Sequence, residues 1–257
     1  GYSVSPKKLH HPENRKLCFV GDFINRGPQS VEVLTLVKSL CESGDAIAVL
    51  GNHEFRLIQN SVEGKKVPAE LEPFIPWLRT LPLFMELDTF RIVHAVWHFS
   101  SIELLDGKTV EEDAFIQETI VKKSPYKKAV SRILSGIKIN IPEDLKLIDR
   151  FGIERSKARL KWWMDLSEKP YADCFLSPMK PDIFNRGPAI DELSDIEPYN
   201  EKDKPVFTGH YCLPPNLPKI SGNVVCLDGC VTCDKTLWGY RHQGTKRILA
   251  SNLIEAS

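Results

Sequence analysis

The sequence predicts an α/β protein, and three observations carry that prediction. An apolar run at residues 16–20 ends on a glycine and a lone carboxylate, opening the stretch GDFINRGP (21–28). A helical pattern follows over residues 30–43, and a second apolar run at 46–50 ends in GNHE (51–54). Strand signals then return after residue 204, in PVFTGH (205–210), NVVCLDGCV (223–231) and LWGYRHQGTKRILA (237–250).

Residues 16–20 read as a buried strand. Residues 30–43 carry apolar side chains at 31, 33, 34, 36, 37, 40 and 41, the three- and four-residue spacing of one helix face. Gly44-Asp45 ends that helix, and residues 46–50 form the next strand. Strand, helix and strand with short links make a βαβ unit, hence a parallel pair with its crossover helix on one face. Ligands of such sheets gather at the carboxyl ends of the strands, where both GDFINRGP and GNHE sit. Two loops therefore converge on one site.

Residues 83–87 and 90–93 read as a hairpin turning at Asp88-Thr89, its second strand running into His94. Residues 99–200 differ in kind. Helical patterns at 102–120, 144–148 and 156–164 alternate with Pro- and charge-rich connections, which predicts a mainly helical insertion within a single domain spanning 1–257. In the last strand segment, Gln243-Gly244 reads as a turn. The NRGP at 185–188 duplicates that at 25–28 without matching flanks, so it reads as coincidence.

The 257 residues are 42% hydrophobic and 26% charged, an ordinary globular balance with room for a sizeable core. Lys+Arg and Asp+Glu both number 34, so no net field calls for a nucleic-acid partner. No stretch approaches the roughly 18 apolar residues of a membrane span, and the polar opening GYSVSPKKLHHPENRK is no signal peptide. Seven cysteines, an odd number in a chain this large, point to a reducing compartment and a cytoplasmic location. Cys226, Cys230 and Cys233 fall one ligand short of a closed zinc site. They read as thiols, as do Cys18, Cys41 and Cys174, which sit in apolar settings and are expected to be buried.

Four strand-end groups remain: Asp22, Asn52, His94 and His210. Singly, each reads as a turn, cap or edge residue. Together, oxygen and imidazole donors at successive strand ends suit a divalent metal ion.

The pattern GD-x3-RG, then GNHE about 30 residues on, then VHA, then a strand closing on GH, resembles the calcineurin-type metallophosphoesterases over roughly residues 15–250. More narrowly it is similar to the bacterial branch holding phosphoprotein phosphatases and symmetrical diadenosine tetraphosphate hydrolases. The resemblance implies a sandwich of two mixed sheets flanked by helices, and two divalent metal ions (manganese, Fe, Zn or Mg). Asp22 would bridge the metals, with Asn52, His94 and His210 completing one of them. Arg26 would grip the substrate phosphate, His53 would protonate the leaving oxygen, and a hydroxide activated by the metals would attack. Asn25 replaces the Asp that protein phosphatases usually place beside that histidine; an amide can orient the ring but cannot raise its pKa as a carboxylate would. The implied substrate is phosphorylated: a phosphoprotein, a nucleotide or a dinucleotide.

Two departures stand against the pattern. Family members open with Asp-x-His before GD-x3-RG, and no Asp-x-His occurs here. His10 and His11, in a loop-like HHPENRK, are no substitutes. The chain thus reads as starting after the family's first strand and helix. Cys212 also stands in GHYC where many relatives carry one more histidine. The alternatives are a catalytically impaired nucleotide-binding paralogue or a regulatory scaffold. Trp162-Trp163 reads as packing before base stacking, His98 as a surface residue or a substrate contact, and Tyr126-Lys127-Lys128 as a solvated patch.

Overall fold

The computed structural model describes residues 3–5, 8–142, 147–148, 152–176, 187–213, 215 and 217–256. In chain order, β1 (Ser3–Ser5) and β2 (Lys8–His10) pair antiparallel in the polar opening, β2 ending where the loop-like HHPENRK begins. β3 (Leu17–Phe19), α1 (Ser30–Glu42) and β4 (Ala46–Ala48) form the expected βαβ unit, with β3 and β4 parallel. Leu34, Val37 and Leu40 bury one face of α1. α2 (Asn52–Val62) starts at GNHE, and the short α3 (Ile75–Leu78) packs against it.

β5 (Phe84–Glu86) and β6 (Arg91–Val93) make the predicted hairpin, closed by the Leu87 amide donating to the Phe90 carbonyl at 2.8 Å. The following segment departs from the sequence expectation in two places, before and after α6. The 102–120 pattern is two helices, α4 (Phe99–Leu105) and α5 (Asp113–Ile120), and the Tyr126-Lys127-Lys128 patch lies on a third, α6 (Pro125–Ser135). Beyond α6 the structure turns to short strands. β7 (Lys138–Asn140) pairs with β10 (Lys157–Arg159), and β8 (Leu147–Ile148) with β9 (Glu154–Arg155). The 156–164 stretch is therefore extended through Leu160 and turns at 162–164. Its buried residues are Ala158, Leu160 and Trp162, a period of two that fits a strand. Residues 144–146 of the expected 144–148 helix, and 185–186 of the second NRGP, lie outside the described residues.

After α7 (Tyr171–Cys174), β11 (Val206–Thr208), β12 (Ile220–Ser221) and β13 (Val224–Cys226) complete a five-stranded mixed sheet of order β12-β13-β11-β6-β5. β6, β11 and β13 are mutually parallel, so the ends of β6 and β11 face the same way. α8 (Val231–Asp234) precedes β14 (Leu237–Tyr240) and β15 (Leu253–Ala256). The partner of β14 lies past residue 250 and not directly after Gln243-Gly244, where Gly244 turns with φ +71°.

Among the described residues no helix is long and apolar enough to cross a membrane. The free-thiol expectation holds for Cys18, Cys41, Cys174, Cys226 and Cys233 but fails for Cys230, which forms a disulfide with Cys212. Cys18 is exposed, not buried as expected, because its alternate neighbours Leu17 and Phe19 take the inner face of β3.

Candidate metal centre

The two loops touch at their glycines. A Cβ on Gly21 would lie 2.4 Å from the Gly51 nitrogen, and one on Gly51 would lie 2.3 Å from the Asp22 nitrogen. Any side chain at either position would drive the backbones apart, which explains why both motifs open on glycine and brings Asp22 beside Asn52. Glu54, fully buried, locks the crossing. Its Oε2 accepts from the Asp22 and Gly51 amides at 2.9 Å each, and its Oε1 from Phe23 at 2.7 Å and Ile24 at 3.1 Å. Burial and the Asp22 charge push the Glu54 carboxyl up, against four N–H bonds that favour its ionised form. The sequence reading gave Glu54 no role; its signal was an acid three residues past Gly51, the spacing of a capping box.

The loops are also strained. Asp22, Asn25, Arg26 and, at the end of β11, His210 are all left-handed, with φ of 62°, 69°, 59° and 70°. Such non-glycine positions cost on the order of 1–3 kcal/mol each and persist where surrounding bonds fix them.

His94, fully buried, brings Nδ1 within 2.6 Å of the Val20 carbonyl, so that nitrogen donates and Nε2 faces the site. Nε2 lies 3.3 Å from Asp22 Oδ1 and 3.2 Å from Asn52 Oδ1. The Asn52 oxygen is in turn 2.8 Å from His210 Nδ1. With neutral His94, lone pairs face lone pairs across this point, an arrangement a cation satisfies. Ligand atoms of Asp22, His94 and His210 all fall within 4.8 Å of one another. The donor set therefore fits a divalent ion.

The charges agree. Burial pushes the Asp22 carboxyl up, but His94 chiefly, then His53 and His210, hold it well below the usual carboxylate range. Burial lowers the His94 pKa, yet Asp22 outweighs it and the net direction is up. His210 falls well below its ordinary value through burial, then through the charges of His94 and Arg159.

His53 stands beside this cluster near the start of α2. Its Nδ1 is 2.7 Å from Asn25 Nδ2 and its Nε2 3.9 Å from Asp22 Oδ2. The amide nitrogen can only donate, so Nδ1 accepts and the ring proton sits on Nε2. Burial lowers the His53 pKa, aided by Arg26 and His94 and opposed by Asp22. Arg26 is exposed and has no ion pair among the described residues.

All seven sequence-predicted residues thus gather here. His98 does not: buried, it caps α4 through Nδ1 and meets the Asp195 carbonyl through Nε2 at 3.0 Å. His11 accepts from the Glu13 amide outside the cluster. Trp162 is core, while Trp163 lines a cavity of about 340 Å³ with Met164, Tyr199 and Leu217. Sequence reasoning also missed Arg159 and Lys138, direct cross-strand partners on β10 and β7. Both the Tyr211 ring and Arg159 Cδ lie within 4 Å of where a Cβ on Gly136 would sit, and the Tyr211 ring is 5.5 Å from that of His210.

The family model for calcineurin-like phosphoesterases matches residues 7–170, and the chain belongs to that family. A symmetrical bis(5'-nucleosyl)-tetraphosphatase of Ralstonia nicotianae is 39% identical over 95 residues, covering 33% of this chain and 34% of that protein. One from Aromatoleum aromaticum is 35% identical over 112 residues, covering 39% and 38%. The chain thus spans little more than a third of the length of these relatives. With the enzyme of that name from Actinobacillus succinogenes it is 27% identical over 266 residues, covering 95% of this chain and 89% of that protein.

Proposed function

We propose that the chain is a metal-dependent hydrolase of phosphoester or phosphoanhydride bonds, acting on nucleotide polyphosphates with dinucleoside tetraphosphates foremost. The convergence of Asp22, Asn52, His94 and His210 on one point, with His53 and Arg26 beside it, carries this reading. A divalent ion held by those four residues would neutralise phosphoryl oxygens and lower the pKa of bound water. Arg26 binds the substrate phosphate through its planar fork. His53, when protonated, gives its Nε2 proton to the leaving oxygen, and Asn25 holds the ring that carries it.

The choice of a phosphate chain over a single phosphate rests on Arg159 and Lys138. Two like charges directly opposite on a strand pair destabilise it, and a bound anion would relieve their repulsion. Arg159 is half-buried and Lys138 exposed, and neither has an ion pair among the described residues. We read residues 99–200 as the insertion that carries this specificity. The names of the relatives point the same way.

The test compares diadenosine tetraphosphate, a phosphopeptide and p-nitrophenyl phosphate in added Mn²⁺. The dinucleotide should have the highest kcat/KM and yield ADP as sole product, as symmetrical cleavage requires. Arg159→Ala should raise KM for the dinucleotide by roughly 10- to 100-fold, the value of one charged hydrogen bond, and spare p-nitrophenyl phosphate. Faster phosphopeptide turnover would overturn the substrate class. Nucleotide binding without turnover in any divalent metal would leave a binding module.

A further inference from the structure

A second cluster lies outside the site described above. The sulfurs of Cys212, Cys230 and Cys233 all fall within 4.8 Å of one another. Cys212 and Cys230 are joined as a disulfide 18 residues apart, while Cys233 is free and exposed. The sequence suggested Cys226 as the third member, but it points into the sheet, with Sγ 3.6 Å from the Gly209 carbonyl. Cys212, from the loop after β11, takes its place.

What gathers these cysteines is not the sulfur bond alone. One carboxylate, Asp228, accepts from the Cys212 amide through Oδ2 at 2.7 Å and from the Cys230 amide through Oδ1 at 2.8 Å. The Asp228 carbonyl also takes the Leu213 amide at 2.9 Å. Cys233 is tied to Cys230 by its own amide, which donates to the Cys230 carbonyl at 2.8 Å. Both Cys212 and Cys230 are left-handed, with φ of 49° and 60°, a backbone that such bonds must maintain. None of these bonds involves sulfur, so opening the disulfide leaves three thiols facing one another.

We propose that Cys212, Cys230 and Cys233 form a binding site for a thiophilic metal ion, Zn²⁺, Cd²⁺ or Cu⁺, that opens when the disulfide is reduced. A dithiol reductant supplies two electrons and two protons to the sulfur–sulfur bond. Two thiols form and the dithiol becomes a cyclic disulfide. The metal then displaces the thiol protons to solvent and takes three sulfur ligands, with a position left for water. Soft sulfur donors separate this site in metal preference from the oxygen and imidazole set at Asp22, Asn52, His94 and His210. Because Cys212 is two residues from His210, loading the sulfur site would fix the strand-end loop that carries an imidazole of the first.

The test is Cd²⁺ titration of the full chain, once as purified under air and once after dithiothreitol treatment and anaerobic removal of the reductant. The reduced chain should develop the thiolate-to-cadmium charge-transfer band, saturating at one equivalent, and the oxidised chain should not. Asn52→Ala should leave the band intact, since that residue belongs to the other centre. Exposed Cys233→Ser should weaken binding by at least about tenfold. No band in the reduced chain, an equal band in the oxidised chain, or unchanged affinity in Cys233→Ser would each overturn the proposal.

Discussion

Asp22 and His94 face each other across 3.3 Å, yet different forces hold them there. Asp22, Asn25, Arg26 and His53 ride on two loops whose crossing depends on Gly21, Gly51 and the single carboxylate of Glu54. His94 and His210 stand at the ends of neighbouring parallel strands, where the Gly209 amide donates to the His94 carbonyl at 2.8 Å. The loop half concentrates strain at three left-handed residues and relieves it through one buried group. The strand half spreads its support over a sheet ladder and burial. A single substitution can therefore unmake the first half, whereas the second fails only with the sheet.

The largest test removes the loop half's carboxylate from the ion. Asp22→Ala should abolish tight metal binding and all turnover in Mn²⁺, because a carboxylate between cation-facing groups has no neutral replacement. Retention of metal by this variant, measured by equilibrium dialysis, would show that the strand half and Asn52 suffice. Next, His53→Ala should lower kcat by about 10² to 10⁴, the usual share of a general acid, with metal content unchanged. The loss should be larger for phenyl phosphate than for p-nitrophenyl phosphate, whose leaving group needs no proton. Equal losses would remove His53 from that role.

Glu54→Gln sharpens the contrast directly. The amide keeps one acceptor and aims donors at two of the four N–H groups, which should cost about 2–5 kcal/mol of unfolding free energy. Hydrogen exchange should quicken either at Asp22 and Gly51 or at Phe23 and Ile24, the two pairs that share one Glu54 oxygen, and stay slow in β6 and β11. Uniform quickening would mean that the two halves are one cooperative unit.

The same division explains what the sequence made legible. The loop half reads directly, because residues 16–54 carry their strand, helix and stop signals locally, and Gly21, Asp22, Asn52 and His53 lie within one βαβ unit. His94 and His210 were found as strand-end histidines, though their partnership through Asn52 is a long-range fact. The segment after α6 has a period other than the helical one expected at 156–164: Ala158, Leu160 and Trp162 alternate inward, which leaves Arg159 on the other face. Cys212 and Cys230 escaped for another reason. Sequence spacing favours the neighbours Cys226, Cys230 and Cys233, while the fold turns Cys226 into the sheet and brings Cys212 in from the other loop.

The smallest expected effect concerns Asn25, where the loop half tunes chemistry without supplying a ligand. In the wild type its amide donates to His53 Nδ1, which favours the neutral ring, and burial pushes the His53 pKa down as well. An acid must be protonated to act, so activity that depends on His53 should fall as pH rises through this lowered pKa. In Asn25→Asp a carboxylate oxygen would accept from Nδ1–H at the same place and favour the imidazolium. The alkaline limb of kcat for phenyl phosphate should then move up by about one pH unit, with little change on p-nitrophenyl phosphate. The acidic limb, which reports other groups, should stay where it is. A pH–rate profile identical to the wild type would mean that Asn25 holds the ring in place without setting its proton affinity, and that the loop half contributes geometry alone.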